Sequence, residues 1–318
     1  MTIRKHPVRG YLYIALATLL WGLAASLGRA VFTGRLPLTG EALHPIAPLI
    51  LAQSRTSLSL LVLLPVLWLR RGGRALALPA GDVGRAFLLG TLGVAASNYL
   101  YYLAIQKTSV ATAIILQYTA PVWVLLYMIG KGRQRATLRR IGAVGLAGVG
   151  SSLAIGALGS GLRLNLVGVV AALLAAFSFA FYNVAGHSLL ERYDRFKVLL
   201  WTLMGAALFW IILNPPWKIV AAHYTREQWL FLAAFSVLSV LAPFSCYFAG
   251  LQHLEPTSAI VASCLEPVFS ILIAAISLGE VVRPVQGLGI VVVLAAIVLV
   301  QMPDRRTHEV LTVVEPME

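Results

Sequence analysis

The sequence predicts an all-α integral membrane protein with ten transmembrane helices, arranged as two five-helix repeats of inverted topology. The 318-residue chain is 59% apolar and 12% charged, with a mean hydropathy of +0.85. A soluble domain carries about 25% charged residues. The charges lie between apolar stretches long enough to cross a hydrocarbon core of about 30 Å. In addition, a 23-residue segment is repeated without a gap 146 residues further along.

The predicted spans account for most of the chain. Lipid offers no hydrogen-bond partners to the backbone, so a spanning segment is either a helix or part of a closed barrel. A length of about 20 residues is that of a helix. The ten spans are 11–31, 46–69, 83–105, 110–130, 139–158, 165–190, 198–214, 228–251, 258–279 and 284–301.

The net charge of +13 is divided between the two sides of the membrane rather than gathered on one soluble face. With the N-terminus placed inside, the inner segments hold 17 of the 25 Lys and Arg residues and the outer loops hold six. Cytoplasmic loops of membrane proteins carry such an excess. We therefore expect a multi-pass protein of a bacterial inner membrane, with both termini in the cytoplasm and no nucleic-acid partner.

The main repeat joins Tyr101–Trp123 to Tyr247–Phe269, with six identical positions. Apolar helices match by chance at some positions, but a shared Tyr, Gln and Pro in one register indicates duplication. Repeats within a membrane protein are typical of transporters. The identical pairs are Tyr101 and Tyr247, Gln106 and Gln252, Ala113 and Ala259, Ile114 and Ile260, Pro121 and Pro267, and Val122 and Val268.

A second repeat joins Gly10–Arg29 to Gly168–His187. Because each unit holds five spans, an odd number, the second unit enters the membrane from the opposite side. We expect the first repeat at 1–158, the second at 159–302 and a cytoplasmic tail at 303–318. Short connections between spans 3 and 4 and between spans 8 and 9 predict two tight hairpins, one on each side of the membrane.

Several motifs resemble those of the drug/metabolite transporter superfamily, specifically its EamA-type repeat. They are Trp21-Gly22, Ala120-Pro121-Val122, Glu266-Pro267-Val268 and Leu278-Gly279-Glu280. The chain length, the loop 32–45 and the Tyr-rich third span make it most similar to the YddG-type aromatic amino-acid exporters. The resemblance covers nearly the whole chain. It implies ten helices, a central cavity, an inner-membrane location and efflux of small organic solutes.

Polar and aromatic side chains at depth in the spans are candidates for lining a substrate cavity, because such groups normally face the bundle interior. Tyrosine rings offer planar walls and hydroxyl hydrogen bonds, which suit an aromatic amino acid. The alternative for the tyrosines of span 3 is a place in an interfacial aromatic belt. The candidates are Trp21, Asn98, Tyr99, Tyr102, Gln117, Trp123, Asn183 and Tyr247.

Two prolines and two charges complete the candidate site. Pro121 and Pro267 lie about midway along spans 4 and 9, where a proline removes a backbone hydrogen bond and kinks a helix. They are predicted hinges. Arg55 and Glu266 lie deep in their spans, where a charge costs about 2.5–3.5 kcal/mol on insertion scales. Three roles are open for the two charges: they pair with each other, they are hydrated separately, or they bind the two charged ends of a zwitterionic substrate. For Glu266 a fourth alternative is that its carboxylate carries a coupling proton.

The sequence contains no metalloprotease motif, nucleophile elbow or Walker loop. Cys246 and Cys264 fall inside spans and are interpreted as small buried apolar residues. We expect no enzyme activity, no metal and no cofactor, so transport is facilitated or driven by an ion gradient. The first hypothesis is a secondary transporter that exports amino acids, aromatic ones above all, by alternating access. The alternatives are a broader metabolite or drug carrier, and a membrane enzyme or receptor. The oligomeric state, including action as a monomer, is left open.

Overall fold

The computed structural model describes residues 6–32, 46, 48–108, 110–156, 165–221, 223–278 and 281–302. Within these ranges the regular structure is helical, as predicted. Nine of the described helical segments are long and apolar enough to cross a membrane. Leu138–Ala154, with 17 residues, is a shorter helix at the place of the fifth predicted span.

The first half consists of five helical spans, two of which are irregular. They are α1 (Pro7–Phe32); α2 (Pro48–Arg71), followed by the short α3 (Gly73–Leu76); α4 (Ala80–Leu88), which continues through a π-helical segment (Leu89–Ala95) into α5 (Ala96–Lys107); α6 (Val110–Gln117) and α7 (Ala120–Gly130); and α8 (Leu138–Ala154).

The second half repeats this order. It comprises α9 (Leu166–Leu190); α10 (Arg195–Leu213), followed by the short α11 (Trp217–Val220); α12 (Arg226–Ser236), which continues through a π-helical segment (Val237–Leu241) into α13 (Ala242–Leu251); α14 (Pro256–Ser263) and α15 (Leu265–Leu278); and α16 (Pro284–Gln301).

Side chains cap the first turns of several helices. The Asn165 carboxamide oxygen accepts hydrogen bonds from the backbone N–H groups of Val167 at 3.0 Å and Gly168 at 3.3 Å. At the start of α12, Thr225 and Gln228 form a reciprocal capping box. Such caps satisfy N–H groups that have no partner within the helix.

The contacts between the two halves are preserved when each helix is exchanged for its counterpart in the other half, as a two-fold axis would exchange them. Helix α1 packs against α13 and α15 of the second half, and α9 packs against α5 and α7 of the first. Helices at equivalent places also pair directly: α2 with α10, and α8 with α16. This exchange of contacts is the one expected of two repeated units.

Helices α1 and α9 run in opposite directions. Arg195, just after α9, lies over the ring of Tyr13 near the start of α1, with 5.7 Å from its Cζ to the ring centroid. The start of α1 and the end of α9 therefore meet at one end of the bundle. That end also carries the segment 131–137, with its basic residues Lys131, Arg133 and Arg135, and the turn between α13 and α14. We call it the basic end.

Candidate functional site

Both spans that were expected to bend are interrupted, at equivalent residues. The first breaks at Tyr118 and Thr119, between α6 and α7, and the second breaks at Cys264, between α14 and α15. Tyr118 and Cys264 are 146 residues apart, which is the offset of the sequence repeat. Discontinuous helices at equivalent places in two repeats are the usual setting of a transporter's substrate site.

The prolines lie just beyond the breaks rather than at mid-helix, which corrects the geometry expected from the sequence. Pro121 is in the first turn of α7, and Pro267 is the third residue of α15. At a helix start the missing N–H would have had no helical partner in any case. The turn at Thr119 is instead held by hydrogen bonds to Leu116 O, from Thr119 N at 3.1 Å and from its hydroxyl at 2.6 Å.

Arg55 is bound to a polar partner in the bundle. Its Nη2 donates a hydrogen bond to Asn98 Oδ1 at 2.8 Å, and Asn98 Nδ2 donates to Val94 O at 2.8 Å. Val94 belongs to the π-helical segment, where the altered turn changes the direction in which α5 presents its side chains. Arg55 and Asn98 are both only partly buried, so the pair faces accessible space.

Glu266 lies in the first turn of α15, where the positive end of the helix dipole stabilises a carboxylate. Its charge interacts electrostatically with Arg55. No direct salt bridge joins these two described side chains, and Glu266 is partly exposed. A cation and an anion thus lie close enough inside the bundle to interact electrostatically without a direct salt bridge.

The remaining candidates divide into a buried group, a partly exposed group on α5 and α6, and Trp123 on the surface. In the buried group, the Tyr247 hydroxyl donates a hydrogen bond to Asn183 Oδ1 at 2.5 Å, and both side chains are fully buried. Trp21 packs against Tyr247 with ring centroids 5.3 Å apart. In this conformation Asn183 and Tyr247 form a closed core contact rather than a cavity wall.

The aromatic residues of α5 are partly exposed. Tyr99 packs edge-on against Phe209 at 6.4 Å between centroids, and Tyr102 lies 6.0 Å from Tyr101. Gln117, the last residue of α6, is also partly exposed.

Trp123 stands apart from the other candidates. It is 38% exposed and makes an edge contact with Phe177, which is itself 57% exposed. The structure therefore places Trp123 on the outer surface of the bundle and does not bring it together with them.

Equivalent positions of the two hairpins differ sharply in exposure. Tyr101 is partly exposed and its counterpart Tyr247 is 0% exposed. The first hairpin is therefore the more exposed of the two, and in this sense we call it open and the second closed. The same difference separates the partly exposed Tyr102, Ile114, Ile115, Leu116, Gln117 and Tyr118 from their buried counterparts Phe248, Ile260, Val261, Ala262, Ser263 and Cys264.

The closed hairpin is held by polar contacts at the basic end. Thr257 Oγ1 donates to Gln134 Oε1 at 2.8 Å, and Gln134 Nε2 donates to the Glu255 carboxylate. Arg140 lies 3.9 Å from the same carboxylate. These four residues, which we call the latch, tie the turn between α13 and α14 to the segment after α7. Sequence reasoning missed the latch because its members come from different repeats and form no motif.

A bundle of spanning helices with paired interruptions around deep charges has the architecture of a membrane transporter. The chain belongs to the EamA-like transporter family, whose model matches residues 8–156 and 166–302. It is a multi-pass membrane transporter of small molecules.

Curated relatives are transporters as well. The threonine/homoserine exporter RhtA of Escherichia coli K12 is 26% identical over 305 residues, covering 93% of this chain and 92% of RhtA. The uncharacterized inner membrane transporter YicL of Salmonella typhimurium is 25% identical over 228 residues, covering 71% of this chain and 75% of YicL. These matches support export of small metabolites and do not establish the aromatic-exporter type.

A solved crystal structure shares the fold. The TM-score is 0.73 at 19% sequence identity, over 95% of this chain and 100% of the other. The likeness therefore extends over the whole helical bundle.

Proposed function

We propose that the protein exports amino acids from the cytoplasm by alternating access and favours aromatic ones. The observation that carries the proposal is the electrostatic interaction of Glu266 with Arg55, which is held by Asn98 and forms no direct salt bridge with Glu266. An α-amino acid carries its carboxylate and its ammonium group on the same carbon atom. The guanidinium binds the carboxylate and Glu266 binds the ammonium, so that each deep charge gains a partner.

The side chain of the substrate then lies toward α5. Tyr99 and Tyr102 offer partly exposed rings there, and aromatic pairs contribute about 0.5–1.5 kcal/mol beyond simple burial. The second candidate function is transport of small polar amino acids, which the similarity to a threonine/homoserine exporter favours. The aromatic preference distinguishes the first candidate function from the second.

The structure corresponds to an outward-open state in this proposal. The excess of basic residues supports a cytoplasmic position for the basic end, where the latch closes the second hairpin. The first hairpin, at the opposite end, is open. Because the halves are equivalent, the inward-open state has the exposures exchanged.

Counterflow in proteoliposomes tests the function. Vesicles loaded with unlabelled substrate take up labelled tryptophan, phenylalanine, threonine or homoserine only if the protein carries them. Arg55→Gln and Glu266→Gln should each reduce uptake at least tenfold, whereas Arg133→Gln, at an exposed position, should match the wild type. Preference for threonine over tryptophan would select the second candidate, and no uptake of any amino acid would refute both.

Tyr99→Ala tests the aromatic preference. Loss of the ring should weaken tryptophan and phenylalanine binding more than threonine binding, because stacking is specific to planar side chains. An equal loss for all substrates would remove Tyr99 from the argument.

A further inference from the structure

Tyr118, a residue that no sequence motif marks, lies between the two interrupted spans. It occupies the break between α6 and α7 and is partly exposed. Its side chain packs against the cluster that contains Cys264 and Val268 of the second interrupted span. It also interacts electrostatically with Glu266 and Tyr101.

The contact between Tyr118 and the Cys264 cluster has a geometric meaning. The two residues are equivalent in the repeats, and the packing of the halves follows a two-fold exchange. Tyr118 also interacts electrostatically with Cys264, and equivalent residues that lie close to each other lie near the axis of that exchange. A site used equally from both sides of the membrane also lies on this axis.

We infer that Tyr118 is a specificity-determining residue of the transport site, which binds the amino end of the substrate together with Glu266 and limits the size of its side chain. The inference rests on the proposed amino-acid function. The phenol oxygen accepts a hydrogen bond from the substrate ammonium, and the ring limits the space for the substrate side chain.

The chemistry of the break explains why a tyrosine is effective at this position. A helix interruption presents the side chain away from the regular face of either half-helix, so the phenol reaches toward the neighbouring span. Tyr118 is also close to Glu266, whose carboxylate binds the ammonium group of the substrate. A group that both hydrogen-bonds and fills volume can select by polarity and by shape.

Two variants separate these roles. Tyr118→Phe removes only the hydroxyl, and Tyr118→Ala removes the ring as well. Equilibrium binding of labelled tryptophan and threonine in detergent is measured beside proteoliposome uptake. Tyr127, which is 45% exposed on α7, supplies the matched controls Tyr127→Phe and Tyr127→Ala.

Tyr118→Phe should weaken the binding of both substrates about tenfold, which corresponds to about 1.4 kcal/mol, and should raise KM with little change in turnover. Tyr118→Ala should also change the ratio of tryptophan to threonine affinity at least fivefold. The Tyr127 variants should bind as the wild type does.

Wild-type affinity of Tyr118→Phe for both substrates, together with an unchanged ratio in Tyr118→Ala, would overturn the inference and leave the proposed function standing. Absence of binding to the wild-type protein would overturn both. Thermal unfolding of Tyr118→Phe at the wild-type temperature shows that a loss of binding does not reflect misfolding.

Discussion

Gly150 and Gly289 occupy the same crossing of α8 and α16. Gly150 lies against Val293, four residues after Gly289, and Gly289 lies against Ala154, four residues after Gly150. A Cβ atom on Gly150 would lie 2.8 Å from Val293 N, and one on Gly289 would meet the backbone of Ala154 even more closely. The contact is therefore symmetric and admits no side chain on either glycine. Close backbone approach of this kind is the main packing device of membrane helices.

Gly289→Leu should destabilise the bundle, because the added side chain forces α8 and α16 apart. Overpacking of a close contact costs about 1–3 kcal/mol, which should lower the thermal unfolding temperature in detergent. Gly287→Leu, on the same helix with open space around its Cβ position, is the control and should unfold close to the wild-type temperature. Equal unfolding temperatures for the two variants would contradict the crossing geometry.

The orientation can be tested by labelling with a membrane-impermeant thiol reagent in intact cells. In a background without Cys246 and Cys264, His223→Cys should react from outside and Arg133→Cys should react only after lysis. The reason is the 17-to-six division of basic residues between the two sides. Labelling of Arg133→Cys in intact cells would reverse the assignment of the basic end.

Release of the latch should favour the inward-open state. Gln134→Ala removes the hydrogen bonds to Thr257 and Glu255, so the second hairpin should open more often and the buried Cys264 should become accessible. Alkylation of Cys264 in the Cys246→Ser background should accelerate severalfold, whereas Arg133→Ala should leave its rate unchanged. A rate unaffected by Gln134→Ala would mean that apolar packing alone holds this hairpin closed.

The break before Pro121 should control the exchange between states. In Pro121→Ala the ring no longer prevents the turn at Tyr118 and Thr119 from closing into a regular helix, in which the new N–H would have a partner and α6 and α7 would form one stiffer helix. Turnover in proteoliposomes should fall, while equilibrium substrate binding is largely kept, because the change acts on exchange between states. Unchanged turnover in both Pro121→Ala and Pro267→Ala would make the prolines passive parts of the breaks.

Stability should fall in acid because of His253, near the end of α13. Burial lowers its pKa below the usual value of 6.5, and the nearby positive groups of His6, Arg9 and Arg195 lower it further. The unfolded chain therefore binds the proton first, so stability is present above about pH 6.5 and is lost as the pH falls toward the folded-state pKa. His253→Gln should flatten thermal stability between pH 7 and pH 5, and an unchanged slope would assign the acid response to other groups.

The fold was predictable from the sequence because span length, basic-residue distribution and repeats are local or periodic signals. The deep positions of Arg55 and Glu266 were equally visible, since a charge inside an apolar stretch stands out. The positions of the helix breaks were missed by a few residues, because Pro121 marks the start of a half-helix and not the interruption itself. The burial of Asn183 against Tyr247 could not be predicted, because it depends on which hairpin is closed.

The paired π-helical segments determine the rotational phase of the helices α5 and α13 that continue from them. Leu89–Ala95 and Val237–Leu241 lie at equivalent positions in the repeats, and each lets the chain take a wider turn than an α-helix. One residue in an α-helix corresponds to about 100° of rotation. Deletion of a single residue within Leu89–Ala95 would therefore leave α5 helical and apolar but would turn Asn98 away from Arg55. The helix would still cross the membrane while its polar face pointed toward the wrong neighbour.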